Sequence, residues 1–296
     1  MIHRLYITFL YRIPLTRVKI FIAKILYRIL KIILRSDHHV IQRKGISYEI
    51  DLSEGIDLSL FLFGSFQNNI VKNKYFSLSS NAVVFDIGAN VGSMALTFAK
   101  IVPNGCIYAF EPTDYAFNKL LRNISLNSEL AKRIMPFQLF LSDKTKKNHQ
   151  IQAYSSWKID GTASNTHSVH GGIIQPAELI PAITVDEFCT KNEINRLDLI
   201  KIDTDGHELQ ILEGSRKTIE KYKPYVIFEV GLYIIEEYDI TFEQYLNYFS
   251  SFGYTLLNNK NGKKITLENF HTQIPNRYTT DIIAVPLKRI NMSETP

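Results

Sequence analysis

The sequence predicts an α/β fold, a doubly wound and mostly parallel seven-stranded sheet with a helical extension at the N-terminus. Two observations predict it. Short apolar runs alternate with amphipathic stretches from residue 81 onward, as in chains that build a parallel sheet covered by helices. The runs are rich in Val, Ile and Phe, which is typical of strands buried on both faces.

Seven apolar runs are predicted as strands and four amphipathic stretches as helices. The predicted strands are Ala82–Asp86, Gly105–Phe110, Met135–Leu141, Leu197–Asp203, Tyr225–Val230, Thr255–Leu257 and Asp281–Val285. The predicted helices are Gly92–Ile101, Tyr115–Asn127, Glu208–Lys221 and Phe242–Phe252. Ahead of them, SYEIDL alternates like a half-buried strand, and a short helix with a turn at Gly64 follows. A long polar segment around Trp157, residues 144–180, is predicted to be a functional loop. The chain is therefore divided into residues 1–36, a segment 37–80 that packs on the core, and a main domain 81–296.

Charge is distributed unevenly along the chain. The formal net charge is +5, but residues 1–35 contain eight Lys or Arg and no acid, which leaves 26 basic against 29 acidic residues elsewhere. A slightly acidic main body argues against a nucleic-acid partner. Cys106 and Cys189 lie far apart without Cys or His neighbours at ligand spacing. Neither a disulfide nor a zinc site is therefore expected, and a cytoplasmic location fits.

Residues 15–35 predict a basic amphipathic helix. Arg17, Lys24, Arg28, Lys31 and Arg35 recur on one helical face, and isoleucines cover much of the rest. This pattern is typical of a helix that lies on an anionic membrane surface, where each cation contributes roughly 1 kcal/mol. Docking on the core or at a dimer interface is the alternative. No uncharged run is long enough for a membrane span, so peripheral contact with the inner membrane face is the expectation.

The first predicted strand ends in VVFDIGANVG. Asp86 closes the strand, and Gly88 and Gly92 flank a turn that contains Ala89 and Asn90 and leads into a helix. Glycines at such a turn let a ligand approach the backbone amides. The dinucleotide fingerprint GxGxxG is not matched because Asn90 holds the place of its second glycine. A nicotinamide-dependent dehydrogenase is therefore disfavoured.

The next two predicted strands also end in polar side chains. Glu111 follows the second strand in YAFEP, where a carboxylate can accept hydrogen bonds from both hydroxyls of an adenosine ribose. Ser142 and Asp143 follow the third strand in FLSD, where an adenine edge is expected. Ligands bind at the carboxyl edge of open α/β sheets, so acidic ends on successive strands indicate a nucleoside-containing cofactor. A turn or capping role is the alternative, chiefly for Asp143.

The chain resembles the FkbM family of methyltransferases over roughly residues 46–286. The resemblance rests, in this order, on YEIDLSEGIDLSLFLFGSFQ, FDIGANVG, YAFEP, LSD, ITVDEF, LIKIDTDGHELQILEGS and PYVIFEV. It implies a class I methyltransferase fold, Rossmann-like with a reversed last strand, and O-methylation of sugars or secondary metabolites with S-adenosylmethionine. It implies a cofactor site lined by Asp86, Gly88, Ala89, Asn90, Gly92, Glu111 and Asp143. Gln67 departs from the family, which more often has an acidic residue there.

The fourth predicted strand and its turn, LIKIDTDGHELQILEGS, supply the candidate catalytic groups. Lys201 and Asp203 share one strand face, and Asp203 lies at the carboxyl edge. A sugar hydroxyl is a poor nucleophile while protonated, so Asp203 is the first candidate to orient or deprotonate it. His207 is the alternative base. Lys201 acts as a base only if burial lowers its pKa, and otherwise pairs with Asp203.

Several alternatives stay open around this turn. Asp203 and Asp205 also fit the Asp-x-Asp pattern with which glycosyltransferases hold a divalent metal and a nucleotide sugar. Together with His207 they are a candidate metal set, although the preferred interpretation has no metal. Asp205 is also a candidate cap for the following helix, and Glu229 a candidate for lining the cleft. The preferred prediction is an S-adenosylmethionine-dependent O-methyltransferase that acts on a sugar hydroxyl of a glycan or small-molecule glycan precursor.

Overall fold

The computed structural model describes residues 16–64, 67–71, 73, 75–149, 152–155, 173–176, 180–276 and 278–290. Trp157 and most of the polar segment 144–180 lie outside the described residues. The described chain forms two compact units, one within Met1–Phe66 and Tyr154–Gln175, and the other within Gln67–Ala153 and Pro176–Pro296. The segment boundaries expected at residues 36 and 80 stay predictions.

The first unit contains two helices and a hairpin. Its elements are α1 (Thr16–Leu34), β1 (His38–Arg43), β2 (Ile46–Asp51) and α2 (Gly55–Phe63). Lys44 and Gly45 connect the two strands with φ of 50° and 73°, as the type I′ turn of a tight hairpin requires. Gly64 ends α2 in the left-handed region, as the sequence predicts. No helix of the described chain combines the length and apolar character needed to span a membrane.

From residue 68 onward, strands and helices alternate, apart from a run of successive strands between residues 134 and 183. Up to the polar segment the elements are α3 (Asn68–Val71), β3 (Val83–Ile87), α4 (Ser93–Ile101), β4 (Cys106–Phe110), α5 (Asp114–Ser125), α6 (Ser128–Ala131), β5 (Ile134–Phe137), β6 (Phe140–Leu141) and β7 (Lys146–His149). The later elements are β8 (Gln152–Ser155), β9 (Ile173–Pro176), β10 (Ile180–Ile183), α7 (Val185–Lys191), β11 (Leu199–Ile202), α8 (Glu208–Glu213), α9 (Arg216–Tyr222), β12 (Tyr225–Gly231), α10 (Leu232–Glu237), α11 (Phe242–Ser251), β13 (Tyr254–Asn258), α12 (Phe270–Gln273), β14 (Thr279–Pro286) and α13 (Leu287–Ile290).

The central sheet has seven strands in the order β13-β14-β12-β11-β3-β4-β5. The strands from β12 to β5 run parallel, and β14 is antiparallel to both of its neighbours. The predicted mostly parallel sheet with a reversed last strand is confirmed. The chain builds outward from β3 through β4 to β5 and later resumes at β11 on the other side of β3. A crevice for ligands forms at such a reversal of strand order.

Aromatic packing fixes the strands on one side of this reversal. Phe85 in β3 and Phe110 in β4 are almost fully buried, and their ring centroids lie 5.3 Å apart. Phe188 from α7 meets the Phe110 ring edge to face at 4.8 Å. Edge-to-face pairs of this kind add roughly 0.5–1.5 kcal/mol to the free energy gained by burial. The strand ends at the crevice therefore rest on a rigid base.

The third predicted strand, Met135–Leu141, is wrong because the structure divides it. β5 ends at Phe137, and the short strand β6 pairs instead with β10 in a three-stranded sheet of order β6-β10-β7. β5 lies at the edge of the central sheet and contains Pro136, which has no N–H to donate to a neighbour. The ladder therefore ends early and the chain leaves the sheet.

The predicted helix Glu208–Lys221 is also divided, into α8 and α9. The interruption falls at Gly214, where the carbonyl oxygen of Ser142 approaches so closely that a Cβ on residue 214 would lie 2.1 Å from it. Packing against another segment thus overrides helical periodicity at this point.

Candidate active site at the carboxyl edge of the sheet

Lys201 is buried where β3 and β11 meet. Its Nζ lies 3.3 Å from Asp86 Oδ1 and 3.3 Å from Asp203 Oδ2, and it donates to the Gly88 carbonyl oxygen at 3.2 Å. The parallel register places Lys201 directly opposite Asp86. Burial alone would lower the pKa of Lys201, but the two carboxylates outweigh it and raise that pKa. The geometry therefore favours an ion pair over a base role for Lys201.

Asp86 lies wholly beneath the surface of the crevice. Its exposed fraction is 0%, and burial raises its pKa although Lys201 acts in the opposite direction. Asp86 was expected to line the cofactor site. In the structure its side chain contacts Lys201, and a direct contact of Asp86 with the cofactor stays a prediction.

Asp203 follows β11 at the carboxyl edge and is held by two donors on one oxygen. Gln67 Nε2 donates to Asp203 Oδ2 at 2.6 Å, and Lys201 Nζ contacts the same oxygen. Burial alone would raise the pKa of Asp203, but Lys201 and the Gln67 hydrogen bond outweigh it and lower that pKa. Asp203 is therefore ionised at neutral pH, the state in which a carboxylate orients or deprotonates a hydroxyl.

The amide at Gln67 matters for this state of Asp203. An amide nitrogen donates without a change of protonation, whereas an acidic side chain at the same place would have to be protonated to donate. The departure of Gln67 from the family pattern is therefore matched by a specific contact in this chain.

Glu208 holds the turn between β11 and α8. Its buried carboxylate accepts hydrogen bonds from Thr204 N and Oγ1 at 2.9 and 3.0 Å and from Gly206 N at 3.0 Å. Burial raises the pKa of Glu208 to about 7, although these hydrogen bonds oppose the shift. His207, not Asp205, precedes the first turn of α8, so the capping alternative for Asp205 is wrong. Sequence reasoning missed Glu208, for which an acid in the first helical turn was the available signal.

Asp205 itself adopts a strained position in the turn. Its φ is 50°, in the left-handed region that Asp and Asn tolerate best among residues with a side chain. Burial, with the charges of Asp203 and Glu208, raises the pKa of Asp205 to about 8. At neutral pH this carboxyl is therefore mostly protonated.

His207 packs among aromatic rings. Its ring meets Phe140 edge to face at 5.1 Å and Tyr238 at 5.5 Å, and its Nδ1 lies 3.4 Å from Gln210 Oε1. These contacts fix the imidazole at the start of α8. A base role for His207 stays a prediction.

Three carboxyls lie side by side across β11, β12 and β14. Ile202 is opposite Phe228 in the parallel pair, so Asp203 and Glu229 are the next positions along, and Glu229 is opposite Asp281 in the antiparallel pair. Burial, with the charges of Asp203 and Asp281, raises the pKa of Glu229 well above its ordinary value. Sequence reasoning anticipated Glu229 but missed Asp281, whose signal was an acid at the start of the reversed strand.

Asp281 is the outer member of this row. Asn69 Nδ2 donates to its Oδ2 at 2.6 Å. Burial raises the pKa of Asp281 to about 6, against the effect of that hydrogen bond. The charge of the row is therefore sensitive to pH near neutrality.

The glycines of the first turn serve internal packing. Gly88 has a φ of 74°, and a Cβ there would lie 1.9 Å from the Asp203 carbonyl oxygen. Gly92 has a φ of 85°, and its Cβ would lie 2.5 Å from Leu120 Cδ1. The close approach of Asp203 and of Leu120 in α5 is a reason for these glycines that the sequence did not show, and their contact with a cofactor stays a prediction. The Gly88 and Ala89 amides donate to the Phe110 carbonyl oxygen at 3.0 and 2.9 Å.

Glu111 joins this turn to the end of β4. Its Oε2 accepts from Asn90 N at 2.9 Å, and its Oε1 accepts from Thr113 N and Oγ1 at 2.9 and 2.6 Å. Burial raises its pKa, although these bonds oppose the shift. Each carboxylate oxygen accepts about two hydrogen bonds, so Oε2 retains one acceptor position. The expectation that Glu111 binds both ribose hydroxyls stays a prediction.

Ser142 and Asp143 follow β6, outside the central sheet. Ser142 N donates to the Ile183 carbonyl oxygen at 3.0 Å, and its Oγ donates to Asp143 Oδ1 at 3.1 Å. The Asp143 side chain is 39% exposed and lies 3.7 Å from Lys144 Nζ. The strand-end argument that predicted them does not hold, and their cofactor role stays a prediction.

The described residues contain no group of three or more His, Cys, Asp or Glu side chains arranged to hold a metal ion. Asp203, Asp205 and His207 do not form such a group. The glycosyltransferase alternative, which uses Asp203 and Asp205 to hold a metal and a nucleotide sugar, is unsupported.

Residues 86–256, more than half of the chain, match the methyltransferase FkbM domain. The chain belongs to the FkbM family of S-adenosylmethionine-dependent methyltransferases. Among curated relatives, hexuronic acid methyltransferase AglP of Haloferax volcanii is 26% identical over 50% of this chain and 55% of its own length. The 2-O-methyltransferase NoeI of Sinorhizobium fredii is 26% identical over 47% of this chain and 59% of its own length.

The chain thus spans little more than half the length of these two curated relatives. A crystal structure of methyltransferase FkbM from Methylobacillus flagellatus is 18% identical, with a TM-score of 0.47 over 71% of this chain and 44% of that one.

The side chains at the crevice fit S-adenosylmethionine. Glu111 Oε2 retains an acceptor position for a ribose hydroxyl. Gln67 Oε1 is a buried acceptor with no hydrogen-bond partner among the residues that the structure describes. The ammonium group of the cofactor would supply the donor that this oxygen lacks.

Proposed function

We propose that this FkbM-family chain transfers the methyl group of S-adenosylmethionine to a hydroxyl oxygen of a sugar in a glycan or glycan precursor. The observation that carries the proposal is the Asp203 carboxyl at the reversal of strand order, where Lys201 Nζ and Gln67 Nε2 contact its Oδ2. The names of two relatives, which refer to a hexuronic acid and to 2-O-methylation, support a sugar acceptor.

Bound S-adenosylmethionine supplies an electrophilic methyl group on a sulfonium. The residues of the chain then have two tasks. They hold the acceptor oxygen in line with that methyl group, which is chiefly a matter of positioning. Asp203 would accept the hydroxyl proton as the new carbon–oxygen bond forms and the methyl carbon–sulfur bond breaks, and Lys201 would keep Asp203 ionised beforehand. Glu111 and Gln67 hold the cofactor at its ribose and amino ends.

The test of this function combines calorimetry with an activity assay. We expect micromolar binding of S-adenosylmethionine, weakened by about 1.5–3 kcal/mol in Glu111→Ala, the scale of a hydrogen bond to a charged group. With hexuronic-acid-terminated oligosaccharides as acceptors, Asp203→Asn should lower turnover roughly 100-fold and change cofactor affinity far less.

Asp198→Asn is the matched control for Asp203→Asn, because Asp198 precedes the same strand at its opposite end and pairs with Arg196 at 2.7 Å. It should leave turnover within about twofold of wild type. Binding of a UDP-sugar with manganese, and not of S-adenosylmethionine, would overturn the proposal in favour of glycosyl transfer. Unchanged turnover in Asp203→Asn would remove that residue from the chemistry.

We further propose that α1 binds the surface of an anionic membrane. Tyr27 is buried, whereas Ile25, Ile29, Ile32 and Ile33 are 40%, 48%, 78% and 68% exposed. At 100° per residue these isoleucines share one face, which borders the face of Lys24, Arg28 and Lys31. An exposed apolar face beside a cationic one matches the interface between acyl chains and anionic headgroups.

Sedimentation with vesicles of phosphatidylcholine and phosphatidylglycerol tests this contact. Ile29→Glu with Ile32→Glu should reduce the bound fraction of the full chain at least tenfold, and added salt should reduce wild-type binding. Leu267→Glu is the matched control, since Leu267 is also 48% exposed but lies in the second unit. Equal and salt-independent binding of all three proteins would refute membrane contact.

A further inference from the structure

Asp203 and Glu229 are two acidic side chains at the carboxyl edge of the central sheet, and the charge of Asp203 raises the pKa of Glu229. Strand register puts them next to each other on one face of β11 and β12. Two buried carboxyl groups at adjacent positions resist being ionised together, because like charges repel and a shared proton removes that repulsion. The pair therefore shares a proton at neutral pH.

The surroundings decide which member of the pair holds this proton. Asp203 faces two donors, the Lys201 ammonium and the Gln67 amide. Glu229 faces mainly other acids, namely Asp203 and Asp281, with Asp205 further along the turn.

The remaining polar neighbours of Glu229 do not reverse this assignment. Thr279 in β14 opposes the rise in the pKa of Glu229, and the charge of Glu229 raises the pKa of Tyr233 in α10. Neither carries a positive charge at neutral pH. The negative charge of the pair thus lies on Asp203, and the proton lies on Glu229, in agreement with the opposite directions of their pKa shifts.

We propose that Glu229 is a positioning residue for methyl transfer: its neutral carboxyl donates a hydrogen bond to Asp203 and fixes that carboxylate toward the acceptor hydroxyl. This inference rests on the proposed function, because Glu229 acts only through Asp203. Three donors from three segments, Gln67, Lys201 and Glu229, then orient one carboxylate. Above the pH at which Glu229 ionises, the third donor is lost and a second negative charge faces the acceptor.

Infrared spectroscopy of the full chain tests the shared proton without any ligand. Between pH 5 and pH 10, the carbonyl stretch of protonated carboxyls should fade in several steps. Glu229→Gln should lack the most alkaline step that wild type shows. In Asp203→Asn that step should move to lower pH by at least about one unit, because the neighbouring negative charge is gone. Asp143→Asn is the control and should leave the alkaline step in place.

Turnover tests the positioning role. Glu229→Gln keeps a neutral donor, so it should retain at least about tenfold more turnover than Glu229→Ala and should lose the decline of activity at alkaline pH. The KM for S-adenosylmethionine should change less than about threefold in both variants, since Glu229 acts on the acceptor side.

Each outcome separates this inference from the proposed function. Identical carboxyl titration in wild type and Glu229→Gln would overturn the shared proton. Equal loss of turnover in Glu229→Gln and Glu229→Ala, with both proteins folded, would overturn the positioning role. Failure of the wild-type chain to bind S-adenosylmethionine would instead refute the proposed function, while the infrared result would still decide where the proton lies.

Discussion

The carboxyl edge of the central sheet has two halves of different character. Over β3 and β4, Glu111 is met by donors from Asn90 and Thr113, so its hydrogen bonds are largely complete within the chain. Over β11, β12 and β14, Asp203, Glu229 and Asp281 stand in a row, with the Lys201 ammonium as the cation that contacts Asp203. The first half is organised by hydrogen bonds, and the second by a balance of charge.

This difference separates the two tasks of a group-transfer enzyme. A cofactor site must keep one shape through every turnover, and saturated hydrogen bonds provide that. A site for proton transfer needs groups whose charge can change, and buried carboxyls beside a cation provide that. A variant at Gly88, where the two halves meet, should disturb both of them. A variant within one half should disturb either cofactor binding or proton transfer.

Gly88→Ala should have the largest effect, since Gly88 joins the two halves. A Cβ there would lie 1.9 Å from the Asp203 carbonyl oxygen at a φ of 74°. Strain and overpacking together should cost about 3–5 kcal/mol of unfolding free energy, measured by urea denaturation. Gly253→Ala is the matched control, with a φ of 71° and nothing within 4 Å of the added Cβ, and should cost about 1 kcal/mol. An equal loss of unfolding free energy in the two variants would show that the close contact between residue 88 and the Asp203 carbonyl oxygen is not required.

Lys201→Met should have the next largest effect, confined to the charge-balanced half. It leaves Asp86 and Asp203 without their cation, which should cost about 3–5 kcal/mol of unfolding free energy. Adding Asp86→Asn to Lys201→Met should recover part of the loss. No recovery would mean that Asp86 is already neutral in the folded chain.

Asp205→Asn should change the pH dependence of stability. The pKa of Asp205 is raised to about 8 in the folded chain, so the folded state holds a proton that the unfolded state releases. Wild-type stability should therefore fall as the pH rises from about 4 through 8. Asparagine also tolerates the left-handed φ, so the variant should gain about 1–2 kcal/mol over wild type above pH 8 and little at pH 4. If the melting temperatures of wild type and Asp205→Asn changed by the same amount between pH 4 and pH 9, the raised pKa of Asp205 would be contradicted.

Asp143→Ala should have the smallest effect, because this carboxylate lies outside both halves. The carboxylate is partly exposed and follows β6, outside the central sheet. If it binds the adenine edge as predicted, cofactor affinity should fall by about 0.5–1.5 kcal/mol, less than for Glu111→Ala. Calorimetry on both variants measures the difference, and an unchanged affinity would exclude Asp143 from the site.

The sequence predicted best what depends on local alternation. Side chains two positions apart in a strand lie on the same face, so the sequence predicted that Lys201 and Asp203 could pair. The contact of Glu229 with Asp281 depends on which strands become neighbours, and 52 positions separate them in the sequence. No local pattern contains that information, although a reversed last strand and an acid at its start were both visible.

Other predictions failed where a distant segment decides the local structure. Gly88 is a glycine because β11, more than a hundred residues later, approaches its backbone. Ser142 lies outside the central sheet because the edge strand β5, which contains Pro136, is short. The carbonyl oxygen of Ser142 lies close to Gly214, where the predicted helix is interrupted. Periodicity correctly predicted a strand within Met135–Leu141 and a helix within Glu208–Lys221, but it did not predict that each would be divided.

The reversed strand β14 also sets an order of assembly. It lies between β12 and β13, although both precede it in the chain. During synthesis, β12 therefore presents an open edge, and β13 has no strand to join until residues 279–286 emerge. Open edges of this kind invite pairing with other chains. Asp281 arrives with that strand, so the acidic row is completed by the same step that closes the sheet.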